Sequence, residues 1–147
     1  MAIEKVREYF TQYGIEDRIQ EFDVSSATVK MAAEALHCEP GRIAKTLSFM
    51  VKENPILIVA AGDTKIDNVK YKGRFGAKAK MLTPEQVISL IGHAVGSVCP
   101  FGIQEGVEVY LDESLKRFDT VFPACGSSNS AIKLTIGELE KYAPYTA

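Results

Sequence analysis

Three observations predict an α+β domain built on a mixed β-sheet. Helical and strand-like periodicities alternate irregularly, without the regular strand–helix units of a parallel doubly wound sheet. Several links are short and hairpin-like, above all Lys52-Glu53-Asn54-Pro55 between two apolar runs. No internal repeat, low-complexity tract or linker divides the 147 residues, so one domain over 1–147 is expected.

Ile3 to Tyr13 places Val6, Tyr9, Phe10 and Tyr13 on one helical face, and Gly14 ends it. Ile19 to Val24 alternates enough for a short strand. Ser26 reads as an N-cap for a helix over Ala27 to Leu36, with Val29, Ala32, Ala33 and Leu36 inward. Pro40-Gly41 is a turn. Ile43 to Val51 and Ile56 to Ala61 form a hairpin with a loop of about four residues. Asp63 to Phe75 is a helix and basic loop, and Ala79 to Leu82 a short strand.

Thr83-Pro84-Glu85-Gln86 is a strong helix start: Thr83 caps, Pro84 takes the first helical position and Gln86 completes a capping box. That helix runs through Ile91 to Gly92, and Gly96 to Gly102 must be a loop. Val107 to Leu111 is a strand, and Asp112 caps a short helix to Phe118. Thr120 to Ala124 and Ala131 to Thr135 are strands around a Gly126-Ser127-Ser128-Asn129 turn. Thr135 or Gly137 opens a last helix ending near Tyr142.

Hydrophobic residues at 46% and charged residues at 24% suit a globular protein and argue against disorder. The longest apolar stretch, Ile56 to Ala61, is far short of a membrane span. Residues Ile3 to Glu8 show no apolar signal core, so a cytosolic address is expected. Cys38, Cys99 and Cys125 form no Cys-x-x-Cys clip, and His37 and His93 have no ligand-like spacing, so neither a disulfide framework nor a metal site follows.

The net charge of −2 hides an asymmetry. Lys65, Lys70, Lys72, Arg74, Lys78 and Lys80 face one acid, Asp67, so this segment is +5 and the remainder −7. Tyr71 and Phe75 sit among the bases. Such a stretch fits either an RNA-contacting footprint or a solvated helix face.

No Gly-x-Ser-x-Gly elbow, phosphate loop or Cys–His signature appears. Three features remain. Lys45 interrupts a strand that should bury one face; it either snorkels to water or meets an anion. Gly96-Ser97-Val98-Cys99-Pro100-Phe101-Gly102 holds an unusual backbone path. It is either a tight connection or a set of N–H groups aimed at a developing oxyanion. Gly126 to Ser130 crowds hydroxyls and an amide onto a turn, which fits a polar ligand or a plain hairpin.

These three segments, in this order, resemble the YbaK/ProX-like family of aminoacyl-tRNA editing domains, related to the insertion domain of bacterial prolyl-tRNA synthetase. Lys45, in Ile43-Ala44-Lys45-Thr46-Leu47, matches the family's pocket lysine. Gly96 to Pro100 matches its Gly-x-x-x-Pro loop, and the Gly126 turn its last pocket wall. The likeness runs from the Ser25–Leu36 helix to Ile132-Lys133-Leu134-Thr135.

The resemblance implies a mixed, barrel-like sheet surrounded by helices, with a pocket for the aminoacyl-adenosine end of tRNA. The implied reaction is ester hydrolysis with no cofactor, metal or covalent nucleophile. Lys45, Gly96, Pro100 and Gly102 would be catalytic, with Lys45 anchoring the terminal nucleotide. Met31, Leu47, Phe49, Cys99, Phe101, Gly126, Ser127, Ser128, Asn129 and Ser130 would bind substrate. Lys65, Lys70, Lys72, Arg74, Lys78 and Lys80 would contact tRNA. The expected substrate is tRNA-Pro mischarged with alanine or a similar small residue, with Cys-tRNA-Pro as the alternative. The expected partners are the tRNA acceptor end and prolyl-tRNA synthetase. Cys99 has no histidine evidently placed to activate it. A non-catalytic binding module for tRNA or an aminoacyl-nucleotide, and a domain docking a synthetase, are the competing readings.

Overall fold

A computed structural model of the protein describes residues 2–26, 28–143 and 145. Its centre is the antiparallel hairpin of β2 (Ile43–Val51) and β3 (Asn54–Ala61), in register from Val51↔Asn54 to Ala44↔Ala61. The connection is Lys52-Glu53 alone, two residues shorter than expected, with Lys52 at a φ of 57°. Asn54 and Pro55 join β3. Met50 donates its N–H to Lys80, away from β3, so the Met50↔Pro55 pair needs no hydrogen bond and the missing proline N–H costs nothing there.

β4 (Glu108–Leu111) lies parallel to β3, and β5 (Thr120–Pro123) parallel to β2 at Ile43 and Ala44. The five-stranded order is β4-β3-β2-β5-β7, with β7 (Leu134–Thr135) antiparallel to β5. The sheet curls into a mixed half-barrel, the α+β class expected. A second ribbon pairs β1 (Ile19–Glu21) with β6 (Ser130–Ile132), joined to β5 by an Ala124↔Ala131 bridge. The strand expected over 131–135 is therefore split, because residues on either side of Lys133 serve different partners. The strand expected over 79–82 shrinks to one bridge, Phe49↔Met81.

α1 (Ala2–Thr11) ends before Gly14, whose φ is 71°. α2 (Val29–Leu36) is capped by Thr28, whose hydroxyl accepts the Met31 N–H at 3.2 Å, and not by Ser26. Ser26 is already engaged: its N–H donates to the Ser128 carbonyl at 2.6 Å. Ala27, the expected first helical residue, lies outside the described residues. α3 (Asn68–Phe75) starts later than Asp63, because the Asp67 carboxylate caps Val69 and Lys70. α4 (Pro84–Gln86) has the expected capping box and continues as a π turn, Val87–Ile91, to Gly92 at φ 98°. Asp112 caps a short 3-10 turn, Glu113–Arg117. α5 (Ile136–Tyr142) opens on Thr135, whose capping box with Glu138 decides between the two starts expected.

Strand alternation divides the core. Ala44, Leu57 and Val59 face the main core with Phe10, Ile91, Phe101, Leu115 and Leu139. On the opposite face, α2 packs Ala32 and Ala33 on Ile43 and Phe122, and α3 packs Tyr71 on Phe49, Ile56 and Ile58.

Candidate functional site

The edge of β2 that faces away from β3 is paired only at its ends. β5 meets it at Ile43 and Ala44, and Met81 meets it at Phe49. Between them, among the described residues, no strand pairs with Lys45 to Ser48 on that side. A cavity of about 460 Å³ occupies this gap, a volume ordinary for small-molecule sites. One flank is Phe122, Ala124 and Ser130; the other is Met81, Leu82 and Val87; Gly96 and Val98 close it from the following loop. Thr28, Val29 and Ala32 cover it from α2.

Lys45 lines this cavity, half-buried. Its ammonium donates to the Thr64 carbonyl, the one hydrogen bond it makes among the described residues, so two of its three donors remain for a ligand. Loss of water lowers its pKa; Asp63 opposes that shift and Lys65 adds to it. Asp63 is itself forked onto Arg117, whose guanidinium holds the carboxyl below its usual range. A partly dehydrated ammonium beside an apolar cavity is a seat for a phosphate or a polarised oxygen.

Of the other residues singled out in the sequence, Leu47, Gly96 and Ser130 also line the cavity. Pro100 is buried, and Cys99 and Phe101 run into the main core, both fully buried. Gly102 packs on the α1 backbone, where a Cβ would stand 3.2 Å from the Lys5 carbonyl carbon. Phe49 packs under α3, and Met31 is not among the lining residues.

The Gly126 turn is spent on structure. The Ser127 hydroxyl lies 2.6 Å from the Ser130 hydroxyl and 3.0 Å from the Asn129 amide oxygen, and the Asn129 amide donates to the Phe22 carbonyl at 3.0 Å. The Ser128 carbonyl accepts from Ser26. The turn thus pins residues 22–26 over the cavity, and only Ser130 reaches its lining.

A histidine does stand beside Cys99, contrary to the sequence reading: His93 Nε2 is 3.5 Å from the sulfur. It is not a base for that thiol. Nε2 is 2.8 Å from the Phe101 carbonyl, which can only accept, so Nε2 carries the proton. Burial raises the Cys99 thiol to about 12 and lowers the His93 pKa.

Sequence reasoning missed Thr46. It lines the cavity, and its hydroxyl oxygen is buried without a hydrogen-bond partner. Its place next to Lys45 was the only available signal. Ser48, buried on the same face, was missed likewise.

The six basic residues from Lys65 to Lys80 are all exposed, on α3 and its flanks. The aromatics among them are not free to stack on bases. Tyr71 is buried under α3, and Phe75 is half-buried, packed on Tyr71 and Tyr110. The helix has one apolar face to give and turns its rings to the sheet. Arg74 lies 5.2 Å over the Tyr110 ring.

Among the described residues, the cavity lining holds no His, Cys, Asp or Glu. Among the described residues, no group of three or more such side chains could hold a metal ion, and no helix is long and apolar enough to cross a membrane.

Fold and site define an α+β domain with a cavity in a sheet gap and a half-buried lysine on its lining. The chain belongs to the aminoacyl-tRNA editing domain family, whose profile matches residues 24–142. It is 55% identical over 144 residues to an uncharacterized protein, YwhH, of Bacillus subtilis strain 168, covering 97% of this chain and 92% of that one. It is 35% identical over 94 residues to the proline–tRNA ligase of Bacillus cytotoxicus, covering 63% of this chain but only 16% of the ligase. A solved structure of a candidate trans-editing enzyme for prolyl tRNA synthetase superposes with a TM-score of 0.89 at 29% identity, over 99% of this chain and 93% of the other.

Proposed function

We propose that this protein is a trans-editing deacylase, a single domain that hydrolyses a small amino acid, alanine or one of similar size, from mischarged tRNA-Pro. The observation that carries the reading is Lys45 beside a half-open cavity whose lining, among the described residues, holds no His, Cys, Asp or Glu. Such a site suits a reaction driven by positioning and electrostatics, and an activated ester needs little more. Lys45 anchors the terminal nucleotide at its phosphate. Water adds to the ester carbonyl carbon, the carbonyl–ribose oxygen bond breaks, and the ribose oxygen takes a proton. The products are the free amino acid and a tRNA with its terminal hydroxyl restored. The exposed bases of α3 hold the acceptor arm, and the likeness to proline–tRNA ligases supports tRNA-Pro as carrier.

The test is deacylation of tRNA-Pro charged separately with alanine, cysteine, serine and proline, by wild type and Lys45→Ala. Loss of one small residue, spared proline and a mutant reduced at least 100-fold is expected, the scale of losing one electrostatic contact to a reacting centre. Cysteine cleaved in preference to alanine would reassign the substrate. Binding of tRNA with no cleavage of any ester would make the protein a binding module.

A further inference from the structure

The gap in β2 leaves one residue's backbone with nothing to bind. Ser48 accepts from the Leu82 N–H and Met50 donates to the Lys80 carbonyl, so both point their backbone groups away from β3. Alternation along an antiparallel strand turns Thr46 the same way. β5 stops pairing at Ala44 and Met81 pairs only at Phe49. Among the described residues, no hydrogen bond reaches the Thr46 N–H or C=O. Both groups therefore face the cavity from an open strand edge, beside Thr46's own buried hydroxyl, which is also unpartnered among the described residues. An open strand edge of this kind is a ready template for a further strand.

We propose that the Thr46 backbone is the subsite for the amino acid itself, which docks as one added residue of β-strand. The Thr46 N–H donates to the ester carbonyl oxygen, and the Thr46 C=O accepts from the α-ammonium. An aminoacyl ester carries that donor and acceptor at the spacing a closely bonded antiparallel pair requires. The N–H then meets the oxygen on which negative charge grows as water adds, which strengthens the bond in the transition state. Paired residues in a ladder share a face. The substrate side chain thus lies on the side of Thr46, Ser48, Val87 and Val98, while Lys45 holds the nucleotide from the other face. This rests on the deacylase reading and deepens it.

The experiment is amide hydrogen exchange by NMR on the whole protein. The probe is 3′-deoxy-3′-(L-alanylamino)adenosine, whose amide replaces the ester and resists hydrolysis. The expected result is at least tenfold slower exchange at Thr46, with little change at Lys45 and Leu47, whose amides are already bonded to β3. If the probe shifts Gly96, Val98 and Ser130 while Thr46 exchange is unchanged, the strand-edge subsite is wrong and the cavity reading stands. If none of these signals moves at saturating probe, the cavity reading fails and takes the subsite with it. A second variant replaces Thr46 with its α-hydroxy acid, which removes the N–H and weakens the Lys45 carbonyl as an acceptor from β3. At a temperature well below its melting transition, a fall of about 100-fold in kcat/KM on alanyl-tRNA is expected for a lost oxyanion donor; full activity would overturn the proposal.

Discussion

Replacing Cys99 by alanine should leave deacylation within about twofold of wild type, which bears directly on whether the reaction uses a covalent intermediate. The thiol is fully buried and burial lifts its pKa to about 12. Five units above neutrality leaves a thiolate fraction of about 10⁻⁵ at pH 7, against a few per cent for a free cysteine. The neighbouring His93 cannot draw the proton off, because its Nε2–H is committed to the Phe101 carbonyl at 2.8 Å and its Nδ1 has no partner. What the substitution removes is packing. Deleting one buried sulfur should cost about 1–2 kcal/mol, a fall of roughly 2–8 °C in Tm for a domain of this size. The assay is steady-state hydrolysis of mischarged tRNA at a temperature well below both transitions, with Tm measured alongside. A loss above 100-fold in a protein whose Tm fell no further than this would refute the reasoning. So would inactivation by iodoacetamide that tracks alkylation of Cys99 ahead of the half-buried Cys38.

Two other predictions concern charge. Arg18 donates to both oxygens of Glu138, at 2.7 and 3.0 Å, and with the Thr135 N–H it pulls that carboxyl from its ordinary 4.5 to about 2. A depressed carboxyl pKa stabilises the fold above the unfolded value and loses that contribution as pH falls from about 4.5 through about 2. Arg18→Ala should therefore cost about 1 kcal/mol at pH 7 for a partly exposed forked pair. Urea titrations should show the difference from wild type shrinking across that acid window, and a difference constant with pH would count against the pairing. For RNA, Lys70→Ala, Lys72→Ala and Lys78→Ala combined should lower the slope of log affinity against log salt by about 2, at roughly 0.7 per phosphate contact on single strands and more on a duplex. An unchanged slope would remove α3 from the interface.

The elements legible in the sequence were those with local causes. The capping box at Thr83, the Gly14 stop and the β2–β3 hairpin rest on contacts within a few residues, and the structure has each; Thr135 was one of two starts open for the last helix, and its capping box with Glu138 decides for it. What depended on distant partners was not legible. Ser26 is as good a cap as Thr28 in sequence; it loses the place because Ser128, about a hundred residues on, holds its N–H. Residues 131–135 read as one strand because nothing local says that β6 serves β1 and β7 serves β5. The site shows the same division. Lys45 stood out as a charge in a strand, but the cavity exists because β5 and Met81 both stop short of Thr46, and pairing order is invisible to periodicity. The Gly126 turn and the 96–102 loop are rich in special residues for a structural reason at most positions: one clamps residues 22–26, the other must enter the core beneath α1.

If backbone groups common to every α-amino acid hold the substrate at Thr46, selectivity must come from the walls around its side chain. The face shared with Thr46 is bounded by Val87 and Val98, both packed on the main core and thus unable to retreat. Alanine adds one carbon there and proline three, closed onto its own nitrogen. In an apolar pocket each methylene counts for about 1–3 kcal/mol, or roughly 10–200-fold. Val98→Ala removes two methyl groups from the wall without touching Lys45 or the strand edge. It should raise hydrolysis of prolyl-tRNA at least tenfold relative to alanyl-tRNA, while alanine itself is cleaved no faster. The ratio of kcat/KM values is the measurement, since it cancels any general loss of stability or tRNA affinity. A ratio that stays fixed while both rates fall would place the discriminating wall elsewhere in the cavity. Val87, the other large side chain on this face, is then the position to shorten next.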